Sequence, residues 1–377
     1  MRVFEELCPT GPDWTVPWAE IHATFDWIRR LEGVPQDAIH HAEGDVATHT
    51  RMAAEALASL DAWRRLPAPR RVRLFATVLL HDVAKPDCTQ HTADGRITAH
   101  GHSRRGDLTA RQLLWRLGAP VAWREHVCAL VRHHQVPFWA LERADLEHIV
   151  LRVSLLASNE DLALLAMADI LGRTCSDLAE VLENIELFRE FCRDLGVLEE
   201  PWPFASDHAR FMYFRTPGRD PRYAAHDDTT STTTILCGLP GVGKDTWIST
   251  HAPDQPVVSL DAIRAELGVS PRDDQHRVAS AAYDRAREHL RARRSFVWNA
   301  TNISRQQREL CISVAASYHS RIEIVALEAP DHVVRARNQA RPSPVPEGVI
   351  TRLLNRWEAP DLTEAHAVHR LDVTSPR

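Results

Sequence analysis

Gly238-Leu-Pro-Gly241-Val242-Gly243-Lys244-Asp245-Thr246 is the stretch that decides the fold of the C-terminal part. It follows the β-branched run Thr232-Thr-Thr-Ile-Leu-Cys237 and opens a helical segment near 244–251. Glycines let the backbone turn so that its N–H groups converge on phosphate. The helix N-terminus adds positive potential, and Lys244 reaches the terminal phosphates. The common pattern ends Gly-Lys-Ser/Thr, with the hydroxyl on Mg²⁺; Asp245 takes that place here. A carboxylate is also a hard oxygen ligand and can hold Mg²⁺ directly or through water. Outward from this loop, the runs PVVSLD, RSFVWNAT, RIEIVALE and AHAVHRLDV alternate with helical segments near 274–293, 304–317, 330–340 and 347–357. That alternation predicts an α/β domain with a parallel sheet over 231–377.

Several residues point from nucleotide binding to phosphoryl transfer. Asp261 and Arg264 lie just after the second predicted strand. There an Asp can accept the proton of an attacking hydroxyl while an Arg clamps the acceptor's phosphate; a helix N-cap is the plainer reading of Asp261. The third strand ends Trp298-Asn299-Ala-Thr301-Asn302, amides where an ATPase more often carries an acidic pair. Arg335, Arg337, Arg341, Arg352 and Arg356 flank the Pro-rich hinge ARPSPVPEG, an Arg-rich lid near 335–357 suited to phosphoryl oxygens. For Arg335 and Arg352 a solvated helix face is the competing reading.

The first 199 residues read differently. Apolar spacing predicts helices near 18–31, 43–60, 71–82, 103–117, 120–134, 159–171 and 174–195. Between the two parts the texture changes from about 200: 200–230 is rich in aromatics, Pro, Arg and finally Thr, and is read as a connector with the boundary near 225. Ten of the 21 histidines fall between 40 and 134. Their order is telling: His49, His81-Asp82, His102, His133-His134, and then Asp169 in LLAMADILGR. Imidazole with carboxylate suits Mn, Fe, Co, Ni, Cu or Zn, and Asp82 beside His81 can bridge two metals, an arrangement suited to phosphoester hydrolysis. His100 competes with His102, and His133 with His134. Lys85, four residues past His81, can meet a substrate phosphate.

Composition narrows the classes. The chain has 377 residues, 44% hydrophobic and 25% charged, enough for two full cores. Of its 45 basic residues only Lys85 and Lys244 are lysines. Net charge is -6, split as 26 basic against 32 acidic before residue 226 and 19 of each after it. Neither part is a basic scaffold for long duplex, so any nucleic acid is gripped locally, at an end. Seven scattered cysteines fit reduced thiols, and neither a signal peptide nor a membrane-length apolar run is visible, so a cytoplasmic location is expected.

The series His49, His81-Asp82, His102, His133-His134 and Asp169 resembles the HD phosphohydrolase superfamily, and HHAEGDVATHTRMA resembles the HD domains attached to bacterial tRNA nucleotidyltransferases. The second half resembles polynucleotide 5'-kinases. In this order the pair resembles the bacterial HD-Pnk end-healing enzymes. That resemblance implies an all-α HD-type domain followed by a P-loop kinase domain. The kinase would move the γ-phosphate of an NTP (ATP or GTP) with Mg²⁺ to a 5'-OH end of RNA or DNA. Asp261 would be its base, Lys244, Arg337 and Arg341 would hold phosphates, and Arg264 would hold the acceptor. Gly238, Gly241, Val242, Gly243, Asp245 and Thr246 would complete the nucleotide and Mg²⁺ site. The HD part, with one or two transition metals, would remove 2',3'-cyclic phosphate and 2'-phosphate ends. A separate ligase would join the products, and no membrane is involved. Two rival readings are a phosphodiesterase of a small nucleotide signal with a regulatory P-loop NTPase, and a non-catalytic end-binding module.

Overall fold

Apolar residues at helical spacing must find a common interior, and in the computed structural model they do so twice. The chain divides into two units, Met1–Trp202 and Pro203–Arg377. All residues are described except 271, 272, 342 and 374–377, so Pro342 of the predicted hinge lies outside the described residues.

In the first unit the elements that position the site are α1 (Val46–Ser59), α2 (Ala68–Leu80), α3 (His102–Arg116), α4 (Val121–His133), α5 (Asn159–Leu171) and α6 (Leu178–Asp194). The Asp45 carboxylate caps α1 by accepting from the Thr48 N–H at 2.8 Å. Helix α5 is buried at Leu162, Ala163, Leu164, Leu165 and Ala166 in succession, as befits a helix apolar all round. It lies at the centre, packed on α1, α2 and α6. Gly172 closes α5 so near α1 that a Cβ there would lie 2.5 Å from the Ala53 nitrogen. The predicted helix over 18–31 is broken at Phe25, which is extended and turns its buried ring between Phe4 and Trp27. The Asp94-Gly95 turn joins a short hairpin, Gln90–His91 with Ile97–Thr98.

The second unit begins earlier than the sequence suggested. Within the predicted connector, α7 (Asp207–Arg215) puts Phe211 into the core of the α/β unit beside Ile235 and Ile324. Then follow β1 (Ser231–Cys237), α8 (Lys244–His251), β2 (Val257–Ser259), α9 (Leu260–Glu266), α10 (His276–Arg291), β3 (Phe296–Asn299), α11 (Arg305–Ala316), β4 (Ser320–Glu328), α12 (Asp331–Gln339), α13 (Glu347–Leu354) and β5 (Ala367–Asp372). The five strands are all parallel, in the order β2-β3-β1-β4-β5. Register sets Leu236 opposite Asn299, and Asn299 opposite Ser259. Three chain segments therefore leave the same carboxyl edge of the sheet, where α/β proteins bind ligands.

Candidate functional site

In the first unit, four helix ends and one helix interior bring histidines and carboxylates to one buried point. His49 comes from the first turn of α1, His81 and Asp82 from the end of α2, His102 from the start of α3, His134 from the end of α4 and Asp169 from α5. His49, His81 and Asp169 form one group and Asp82, His102 and His134 another. The Nε2 atoms of His49 and His81 are 3.2 Å apart, and those of His102 and His134 are 3.3 Å apart. Asp82 spans both: its Oδ2 lies 3.2 Å from His81 Nε2 and 3.7 Å from His49 Nε2, and its Oδ1 lies 3.4 Å from His102 Nε2. Asp169 Oδ1 lies 3.2 Å from His49 Nε2.

The protonation of these rings is fixed from behind. His81, His102 and His134 each set Nδ1 on the backbone carbonyl three residues earlier, at 2.6, 2.8 and 2.8 Å. Nδ1 is therefore the donor in each ring, which turns Nε2 inward; against the cost of burial, the Asp82 carboxylate raises the His81 pKa. Burial pushes the His134 pKa down to about 3 and that of His102 also downward, so no proton sits between their facing nitrogens at neutral pH. Asp82 Oδ1 is buried without a hydrogen-bond donor among the described residues. Lone pairs aimed at one another, with a carboxylate oxygen left over, are what a divalent cation satisfies. The donor set fits a transition metal, and Asp82 fits a bridge between two.

Around this set lie Glu43 and Arg173, which the sequence reading did not single out, and Lys85, which it did. Glu43 accepts from His49 Nδ1 at 3.0 Å, His41 Nδ1 at 2.8 Å and the Thr174 N–H at 2.8 Å, and so orients His49. Despite burial, these bonds hold the Glu43 carboxyl far below its usual range. Arg173 grips Asp169 at 2.9 Å through each carboxylate oxygen and, against the cost of burial, keeps it ionised. Lys85 is buried, with Nζ 2.7 Å from Asp82 Oδ2; burial notwithstanding, it holds the Asp82 carboxyl well below the ordinary range. Of the alternates, His134 rather than His133 enters the cluster, because His133 is the last helical residue and faces one position away. His100 is exposed. His126 instead pairs with Asp161 at 2.9 Å.

The second unit's site lies at the sheet's carboxyl edge. Gly238, in the left-handed half of backbone space with φ 153°, runs so close to β4 that a Cβ would sit 2.6 Å from the Leu327 carbonyl oxygen. Gly241 and Gly243 also have positive φ, and Gly243 caps α8 just ahead of Lys244. Val242 is buried behind the loop, while Asp245 and Thr246 are exposed in the first turn of α8. Lys244 folds back, donating to the carbonyls of Gly238 at 2.9 Å and Leu239 at 3.0 Å. Burial lowers its pKa to about 8. Asn299 donates to Asp245 Oδ1 at 2.8 Å, fixing the carboxylate that stands in the hydroxyl's place. Asn302 instead supports β1, donating to the Leu236 carbonyl at 2.8 Å.

Asp261 is not a cap. Ser259 caps α9, accepting from the Ala262 N–H at 3.3 Å, and Asp261 lies in the first turn, paired with Arg264. Arg264 Nε also donates to Gln275 at 2.9 Å. Arg337 donates to the Val242 carbonyl at 3.3 Å and to that of Val373 at 2.9 Å, which sets it on the phosphate loop itself. Arg341 lies near enough to Lys244 to depress its pKa, though burial is the larger cause. Arg335 is tied to Asp331 and Glu347, and Arg352 and Arg356 are exposed.

An AAA domain family model matches residues 234–360. For the N-terminal part the curated relatives are multifunctional CCA proteins and an A-adding tRNA nucleotidyltransferase. A multifunctional CCA protein of Halorhodospira halophila is 38% identical over 115 residues, 30% of this chain and 25% of the relative. An A-adding tRNA nucleotidyltransferase of Deinococcus radiodurans is 38% identical over 114 residues, 30% of this chain and 24% of the relative. The chain thus spans about a quarter of the length of these relatives. Among solved structures, a sugar kinase from Janibacter sp. HTCC2649 aligns with 18% identity and a TM-score of 0.31, over 39% of this chain and 87% of that one. A gluconokinase from Sinorhizobium meliloti 1021 aligns with 20% identity and a TM-score of 0.31, over 39% and 86%.

Proposed function

We propose that the chain is a bifunctional nucleic-acid end-healing enzyme, a polynucleotide 5'-hydroxyl kinase joined to an HD-type phosphoesterase. The observation that carries the reading is the presence, in one chain, of a buried two-part His/Asp cluster and a phosphate loop with an Asp261–Arg264 pair at the acceptor edge.

For the kinase, Lys244 leaves its loop carbonyls for the β- and γ-phosphates of the NTP, and Arg337 and Arg341 hold the transferring oxygens. Asp261 is 82% exposed, and such surface pairs contribute about 1 kcal/mol or less, so the pair opens readily. The freed Asp261 accepts the proton of the 5'-hydroxyl as the O5'–Pγ bond forms and the bond from Pγ to the bridging oxygen breaks. Arg264 turns to the phosphate on the acceptor's 3' side. Asn299 keeps Asp245 aimed at the Mg²⁺ that accompanies the nucleotide.

For the phosphoesterase, His49, His81, Asp82 and Asp169 would hold one metal and Asp82, His102 and His134 a second; bound there, the metals supply Lewis acidity and an activated water. Lys85 donates to a phosphoryl oxygen of a 2',3'-cyclic phosphate or 2'-phosphate end. Arg173 and Glu43 keep Asp169 and His49 in place. A ligase acting afterwards would seal the healed ends.

The test is transfer of labelled γ-phosphate to a 5'-OH oligonucleotide, together with release of cyclic phosphate from a 3' end. Phosphorylation of a small metabolite and of no oligonucleotide would refute the reading.

A further inference from the structure

Gln36 sits in the loop between two short segments of the first unit, with no part in the ligand set described above. The loop is held shut: the Gly33 N–H donates to Asp45 Oδ2 at 2.7 Å, and the Val46 N–H to the Val34 carbonyl at 3.1 Å. Gln36 is buried, 9% exposed, and its Oε1 accepts from Lys85 Nζ at 2.6 Å. Lys85 gives a second proton to Asp82 Oδ2 at 2.7 Å, which leaves the third. The other half of the Gln36 amide, Nε2, is buried with no acceptor among the described residues. A buried amide donor left unpaired costs about 1–3 kcal/mol. A leucine or methionine would fill the same space without that cost, so the amide is informative.

Nε2 shares its carbon with the oxygen that touches Lys85, so it stands beside the ammonium and one residue removed from Asp82. Of the five side-chain charges at the cluster, Lys85 and Arg173 are positive, and Arg173 is spent on Asp169. The remaining proton of Lys85 and the N–H of Gln36 together make two adjacent donors for an anionic acceptor. We propose that Gln36 and Lys85 form a donor pair that holds a phosphoryl oxygen of the substrate beside the metal cluster, with Gln36 contacting substrate and also positioning Lys85. This rests on the phosphoesterase reading of the cluster.

The probe is inorganic phosphate, titrated by calorimetry into the Mn²⁺-loaded full chain. Gln36→Met keeps length and volume and removes both amide functions. The expected result is phosphate binding weakened about tenfold, and KM for a cyclic-phosphate end raised more than kcat falls, with bound Mn²⁺ unchanged and the melting temperature not lowered. Gln36→Asn, which restores an amide at shorter reach, should recover part of the affinity. Phosphate affinity and KM equal to wild type in Gln36→Met overturn the proposal alone. Lowered Mn²⁺ content in Gln36→Met also overturns it, since Gln36 would then serve the metal site. If wild-type protein loaded with Mn²⁺ binds no phosphate and hydrolyses no phosphoester, the phosphoesterase reading falls and takes the proposal with it.

Discussion

The two sites stand in opposite states of readiness. In the first unit, His102 and His134 face each other across 3.3 Å with lone pairs opposed, and Asp82 Oδ1 has no donor among the described residues. In the second, every main group is already occupied: Lys244 on its own loop carbonyls, Asp261 on Arg264, Arg337 on Val242 and Val373, Asp245 on Asn299. On the metal-site reading, the first site bears its electrostatic cost on folding and would regain it on binding a cation. The second is at rest when empty and must break weak contacts to bind. On the proposed reading, mutation in the first site should therefore act through affinity for metal, and mutation in the second through the chemical step.

The sharpest way to break this comparison is to remove one member from each site. Asp261→Ala should lower 5'-phosphorylation by about 10²–10⁴-fold, the usual worth of a general base, while hydrolysis is unchanged. Asp82→Ala should lower hydrolysis by at least as much and leave 5'-phosphorylation intact, because Asp82 lies within reach of both groups. Linked losses in either variant would show that the sites do not act separately.

Next in size is Gly172→Ala, whose Cβ would strike the α1 backbone at Ala53. Overpacking of this kind costs about 2–3 kcal/mol, read by denaturant unfolding of the first unit. A neutral change would mean that α5 can retreat from α1 without loss.

Glu43→Gln should weaken metal binding about 10–100-fold in competition with a chelator, as expected when the carboxylate behind a ligating histidine is lost. Equal affinity would show that the Gly172 carbonyl, 3.3 Å from His49 Nδ1, suffices to hold the ring.

The smallest effect is a pH dependence. Lys244, with its pKa lowered to about 8 by burial, loses its proton in the free protein as pH rises, whereas nucleotide phosphate retains that proton. NTP affinity should therefore fall about tenfold between pH 7 and pH 9, measured by fluorescence titration. Lys244→Arg, always charged, should flatten the curve whatever it does to affinity.

Much of this was legible in the sequence where local rules govern. The phosphate loop announced itself because glycines, lysine and a strand–helix boundary are contiguous. The predicted helix over 159–171 matches α5, and His49, His81, Asp82, His102 and Asp169 converge as their types and spacing suggested. What spacing could not settle was direction. His133 and His134 adjoin, and only the exact end of α4 decides which imidazole turns inward. Glu43 and Gln36 were hidden because each acts through a partner brought close by tertiary packing, whereas Arg173 stands four residues after Asp169, a spacing that could have pointed to it. An N-cap at Asp261 and one at Ser259 are equally compatible with a seven-residue helix, too short for periodicity to fix its start, and in the structure Ser259 is the cap.

The helix α7 has a consequence for how such a chain can be divided or recombined. Phe211 stacks on His366 at 4.2 Å, Arg210 donates to the His366 carbonyl at 2.6 Å, and Arg215 meets Glu309 at 3.0 Å. The portable α/β module accordingly begins at Pro203 and not at the first strand, Ser231. A cut at residue 231 leaves an open apolar socket on the outside of the sheet, a surface that invites aggregation. A gene fusion that swaps in a different N-terminal partner preserves this module only if its junction lies at or before residue 203.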